Sequence, residues 1–218
     1  MIQITQKYMP IGLRRSGEKI TPKIMFLVAH DTGNDGATAQ NHVDYYTRTY
    51  NDQQVSAHTF VDDKMIVEVV PLNEKAWHVR YNVNTDNTLF GYDANDTAVG
   101  VELCYSTKGI IDNKIAYNNY VDYFAYLCMK YNLDPLQHIV SHTKLDPTRR
   151  TDPINAFNHT GVTWNQFIQD VSRVYTENKP KPPTGENPTG TASDMICSNP
   201  GKRVVLNTVF ELFKKLFA

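Results

Sequence analysis

Seven residues, Ile24 to His30 (IMFLVAH), run without polar alternation until the final histidine. A strand of that kind must be covered on both faces, so it belongs inside a sheet with helices packed against it. Val99 to Tyr105 (VGVELCY) repeats the pattern, with Glu102 as its one charged residue. Thr38 to Tyr50 reads as a moderately amphipathic helix. Ser56–Val61 and Met65–Val70 flank Asp62-Asp63-Lys64 as the arms of a hairpin. Arg80–Asp96 is polar, rich in Asn and Asp and without periodicity, so it reads as a long surface loop. Tyr117–Tyr131 places Tyr120, Phe124, Leu127 and Tyr131 on one helical face. Gln137–Ser141 is a short strand, and Thr163–Tyr175 a last helix with Trp164, Phe167, Ile168 and Val171 inward. Strands interleaved with helices give an α/β class, a mixed central sheet with helices packed on it.

The chain has 218 residues, and its sharpest boundary is Asn178–Gly190, with four prolines, two glycines and almost nothing apolar. Such a stretch cannot pack a core and reads as a semi-extended linker. The expected organisation is a main domain at 1–177, a linker at 178–190 and a tail at 191–218. In the tail, Val205, Val209, Leu212, Phe213 and Leu216 share one face of a short helix, against Asn207, Glu211, Lys214 and Lys215. A basic amphipathic helix suits a membrane surface or an anionic cell-wall polymer. Docking on the main domain and self-association would bury the same face. A net charge of -1 offers no footprint for nucleic acid. The N-terminus has no signal-peptide pattern, and no apolar run is long enough to span a membrane. Three cysteines, 104, 128 and 197, give neither a fully paired disulfide framework nor CxxC metal spacing.

Seven histidines are the candidate chemistry. His30 ends the first buried strand and His142 follows the short strand Gln137–Ser141. Strand ends beside loops are where α/β sheets place reactive groups. Asp152 lies ten residues beyond His142, and two histidines with one carboxylate make a three-ligand zinc set open to water. Buried histidines bonded to backbone are the plainer alternative, and Asp146 competes with Asp152 for the third place. Glu102, set in an apolar strand, is costly unless paired or facing a cleft, where a raised pKa suits a general base. An edge-strand glutamate facing solvent is the other reading. Trp77, in AWH at 76–78, could stack on a sugar or fill the core. No GxSxG elbow supports a serine triad, and Cys104 and Cys128 sit in apolar segments typical of inert packing.

In this order the motifs resemble the type-2 N-acetylmuramoyl-L-alanine amidases, zinc amidases related to peptidoglycan-recognition proteins and phage endolysins. The matching stretches are VAHDTG around His30, VSAHTFVDD around His58, AWH, VGVELCYS around Glu102, and SHTKLDPTRRTDP at 141–153, followed by TWNQF. The resemblance implies His30, His142 and Asp152 as zinc ligands, with Pro147 at the family's mid-loop proline and Asp146 therefore a loop residue. It implies Glu102 as general base and Arg150 as the oxyanion-stabilising cation where the family often has lysine. A guanidinium is not interchangeable with an ammonium. Some members carry a tyrosine before the middle histidine; here it is Ala57, which shifts the burden to Glu102. His58, Trp77 and His78 are expected to contact substrate. The implied reaction is hydrolysis of the amide between N-acetylmuramic acid and L-alanine by a zinc-activated water, with bacterial peptidoglycan as the partner. With no signal peptide in view, the expectation is a phage endolysin held in the host cytoplasm until lysis. A non-catalytic peptidoglycan binder is the alternative, and a zinc peptidase of other specificity fits the ligands but not the AWH and VGVE context.

Overall fold

The structure, a computed structural model, describes residues 3–179. The expected tail, and nearly all of the expected linker, lie outside the described residues. Six strands form one sheet: β1 (Ile4–Gln6), β2 (Phe26–Asp31), β3 (Thr59–Val61), β4 (Ile66–Glu68), β5 (Ala98–Leu103) and β6 (Ile139–Ser141), in spatial order β1-β4-β3-β5-β2-β6. Only β3 and β4 pair antiparallel, as the hairpin expected around Asp62–Lys64; the other pairs are parallel. The two apolar runs become β2 and β5, side by side at the centre, which is why neither alternates. The sheet is mixed and helix-covered, as the sequence implies.

Alternation along these strands decides what each face does. Leu27 and Ala29 of β2, and Val99, Val101 and Leu103 of β5, enter the larger core. There they meet α4 (Asn113–Tyr131) and α8 (Trp164–Asn178), which pack on each other. Tyr120, Phe124 and Phe167 are fully buried at that seam, with Tyr120 and Phe167 centroids 5.4 Å apart. The four apolar positions assigned to α8 all serve the core: Phe167 and Val171 are buried, and Trp164 and Ile168 pack against it. Asp112 caps α4, its side chain accepting from the Lys114 and Ile115 amides, so the helix starts four residues before the expected Tyr117.

The opposite face is covered in two patches. α1 (Ala39–Arg48) lies over the β3 side, where Tyr46 meets Phe60 edge-on at 5.1 Å. Over the β2 and β6 side, Phe26, Val28, Ala98 and Val140 form a smaller cluster with Val79, Ala94 and Leu145. His30, Gly100 and Glu102 share the strand parity of that face, and His30 is directly opposite Glu102 in the β2–β5 register.

The expected loop at 80–96 holds two short helices instead, α2 (Thr85–Phe90) and α3 (Ala94–Thr97). Asp86, Asp93 and Asn95 within it are caps and clamps, while Asn82, Asn84 and Asn87 stay exposed. Asp93 caps α3, Gly91 ends α2 in the left-handed region at φ 78°, and buried Asp86 accepts from the Ala94 amide at 2.8 Å. The segment expected as a strand at 137–141 opens on α5 (Pro135–His138), capped by Asp134, and only Ile139–Ser141 is strand. Two further turns follow, α6 (His142–Leu145) and α7 (Ile154–Asn158).

Candidate metal centre and catalytic groove

Three parts of the chain converge at the ends of β2, β5 and β6. His30 is the penultimate residue of β2, and His142 opens α6 directly after β6. Asp152 arrives from the loop that leaves α6. Thr143 pins that loop: its amide and hydroxyl both donate to the Asp152 carbonyl, at 2.9 and 2.8 Å. Asp152 Oδ2 then lies 2.9 Å from Nδ1 of His30 and 2.9 Å from Nδ1 of His142. All three residues are buried, and one donor atom from each lies within 4.8 Å of the others. Two imidazoles and a carboxylate so gathered could hold a metal ion.

Electrostatics agree with that role. Burial alone would raise the Asp152 pKa, but the bonds from His142 and His30 outweigh it and hold the carboxyl far below its usual range. Burial, reinforced by the neighbouring His142, pushes His30 down to about 4, so its ring is neutral and able to offer a lone pair. Asp146 is elsewhere: it pairs with Arg149 and ends α6.

A groove of about 560 Å³ opens over this centre, with Trp77, His78, Glu102, Arg150 and Tyr46 on its walls. Glu102 Oε2 is buried without a hydrogen-bond partner. Burial, then the charges of Asp152 and Asp31, push its pKa well above the usual carboxylate value, and Arg150 opposes them. Arg150 is exposed at the rim. Trp77 is half-buried, with its indole Nε1 unpartnered and its ring 6.0 Å from Tyr81.

The two histidines expected to touch substrate behave differently. His78 reaches the groove, but its Nδ1 lies 3.0 Å from His30 Nε2, so it orients a ligand. His58 needs correction. It is fully buried, Nδ1 accepts from the Gly100 amide at 3.0 Å, and Nε2 donates to the Glu74 carbonyl at 2.9 Å. No ring atom is left for a substrate; His58 fixes the strand under the site.

Other supporting residues carry no sequence signal. Asp31 accepts from the Gly33 amide, the Asn155 side chain and the Ala156 amide, tying the end of β2 to α7 beside Asp152. Gly100 is a glycine by necessity, since a Cβ there would lie 2.6 Å from the His78 ring.

Comparison with known proteins bears on this arrangement. The profile of the N-acetylmuramoyl-L-alanine amidase family matches residues 21–155, which span every residue of the centre. The chain belongs to that family. Among type-2 amidase relatives, BlyA of Bacillus subtilis (strain 168) is 29% identical over 198 residues, covering 87% of this chain and 51% of its own. CwlH of the same organism is 26% identical over 193 residues, covering 87% and 69%. The chain thus spans about half the length of BlyA. The catalytic domain of XlyA superposes with a TM-score of 0.62 at 25% identity, covering 78% of this chain and 99% of that one. The PlyG catalytic domain gives 0.63 at 25%, covering 83% and 100%. The family fold thus coincides with the sheet and helices described above.

Proposed function

We propose that this protein is a zinc-dependent peptidoglycan amidase that hydrolyses the bond between the lactyl group of N-acetylmuramic acid and L-alanine of the stem peptide. The observation that carries the reading is the convergence of His30, His142 and Asp152 under a groove whose wall presents an unpartnered carboxylate, Glu102. The donor set is of the kind zinc takes in hydrolytic sites, and its donors are held in place by Thr143 and His78. Bound there, zinc would polarise the scissile carbonyl and lower the pKa of water.

The remaining work falls to side chains. Glu102, with a raised pKa, takes a proton from the attacking water and returns it to the departing alanine nitrogen. Arg150 reaches over the rim to the oxygen that gains charge as the carbonyl becomes tetrahedral. Trp77 supplies an apolar wall beside the reacting amide.

Digestion of purified cell wall tests the reading. New amino-terminal alanine should appear without new reducing sugar, and a chelator or Asp152→Ala should abolish it. New reducing ends, or wall binding with no release of alanine, would overturn it. The proposal extends to a lysin role, with the protein held in the host cytoplasm until lysis. It predicts that cytoplasmic expression spares cells until their membrane is permeabilised.

A further inference from the structure

A second cavity, of about 340 Å³, lies on the α1 side of Glu102. Its walls include Arg14, His42, Tyr45, Tyr46, Phe60 and Glu102. Arg14 is 1% exposed, yet it forms no ion pair among the described residues. Its Nε donates to the Thr49 carbonyl at 2.9 Å and its Nη1 to the Val55 carbonyl at 2.6 Å, while Nη2 has no partner. A buried guanidinium without an ion pair, balanced only in part by the ring faces of Tyr46 and Tyr45, is costly unless a counter-charge arrives. On the same wall, His42 Nε2 is buried and unpartnered.

The aromatic rings lining this cavity are already engaged. The guanidinium lies 4.6 Å from the Tyr46 centroid and 5.2 Å from that of Tyr45, and the His42 ring stacks on Phe60 at 4.7 Å. Ring faces so covered offer little to a sugar, whereas the free Nη2 and Nε2 seek an acceptor. Glu102 belongs to both cavities, so an occupant of this one is contiguous with the reacting amide.

We infer that this cavity is a recognition site for a carboxylate of the stem peptide, held by Arg14 Nη2 and His42 Nε2, and that it makes the protein selective for stems whose carboxyl near the scissile bond is free rather than amidated. The inference rests on the amidase reading for the identity of the peptide, and its test does not need cleavage. The full chain is titrated calorimetrically with two product-type peptides, L-alanyl-D-glutamic acid and its counterpart with the glutamate α-carboxyl amidated. A charge-assisted pair predicts roughly tenfold or more tighter binding of the acid. Arg14→Gln and, separately, His42→Gln should bring the two affinities together. Equal affinities in the wild-type protein, no binding of either peptide, or an acid preference that survives both substitutions would overturn it. The wild-type comparison decides the matter even if Arg14→Gln does not fold. Should wall digestion show no new alanine termini while the acid preference holds, the amidase reading fails and the carboxylate site stands.

Discussion

His78 shows how a single side chain shapes the candidate metal centre from outside the His30, His142 and Asp152 set. It stands over Gly100, donates its backbone N–H to Asn95 Oδ1, and meets His30 Nε2 through its Nδ1. Partners of this kind fix the orientation of a ligating imidazole, and their loss costs roughly 10–100-fold in metal affinity. His78→Phe keeps the ring volume and removes the nitrogen. Competition with a coloured chelator should show zinc binding weakened by about that factor; unchanged binding would mean His30 holds its own orientation. The same residue marks a limit of reading from sequence. AWH announces a histidine in a family motif, but a linear string does not say whether its imidazole faces substrate or a neighbouring ring. His58 is the stronger case. Its motif is as conspicuous, yet the Gly100 amide and Glu74 carbonyl consume both nitrogens. Arg14 carries no signal at all, since an Arg-Arg pair in a polar segment reads as solvated.

At the scale of elements, apolar pattern was a dependable guide where burial sets the structure. The two unbroken runs are the central strands, and the spacing of large apolar residues foretells α4 and α8. The hairpin turn at Asp62–Lys64 was equally legible. Pattern fails at α2 and α3, because those helices are held by side chains bonded to backbone. Asn95 is the chief example. Its Oδ1 accepts from the His78 and Val79 amides, and its Nδ2 donates to the Val79 carbonyl at 2.6 Å. Asn95→Ala strands three buried backbone groups. It should cost about 2–4 kcal/mol in denaturant unfolding and raise amide exchange at His78 and Val79 first. A loss below about 0.5 kcal/mol would show that water replaces the clamp. β1 escaped notice for a simpler reason: three residues are too few to carry a period.

The whole molecule should weaken on mild acidification, through its buried neutral histidines. Burial pushes His58 down to about 4, although its bond to the Glu74 carbonyl opposes the shift. The unfolded chain takes up that proton near pH 6.5, its ordinary value, while the fold resists until about 4. Between those limits the unfolded state binds more protons, so stability falls as pH falls. The slope approaches about 1.4 kcal/mol per pH unit from this residue alone. His42, also pushed down to about 4 by burial, acts in the same direction over the same window. Urea midpoints measured from pH 7 to 5 should decline steadily; a flat profile would contradict the buried, neutral state of His58.

The two faces of the sheet have a consequence for how such a protein can change. The aromatic seam of α4 and α8 holds one face, and the metal centre, Glu102 and both cavities open on the other. The two sets of side chains meet through the backbone of β2 and β5, as where Tyr120 Oη lies 2.9 Å from the His30 carbonyl. Mutations that alter what the groove accepts and mutations that make the fold tougher therefore occupy opposite faces of the sheet, even where they alternate along one strand. A lineage, or a protein engineer, can tune thermal endurance on one side while substrate preference drifts on the other.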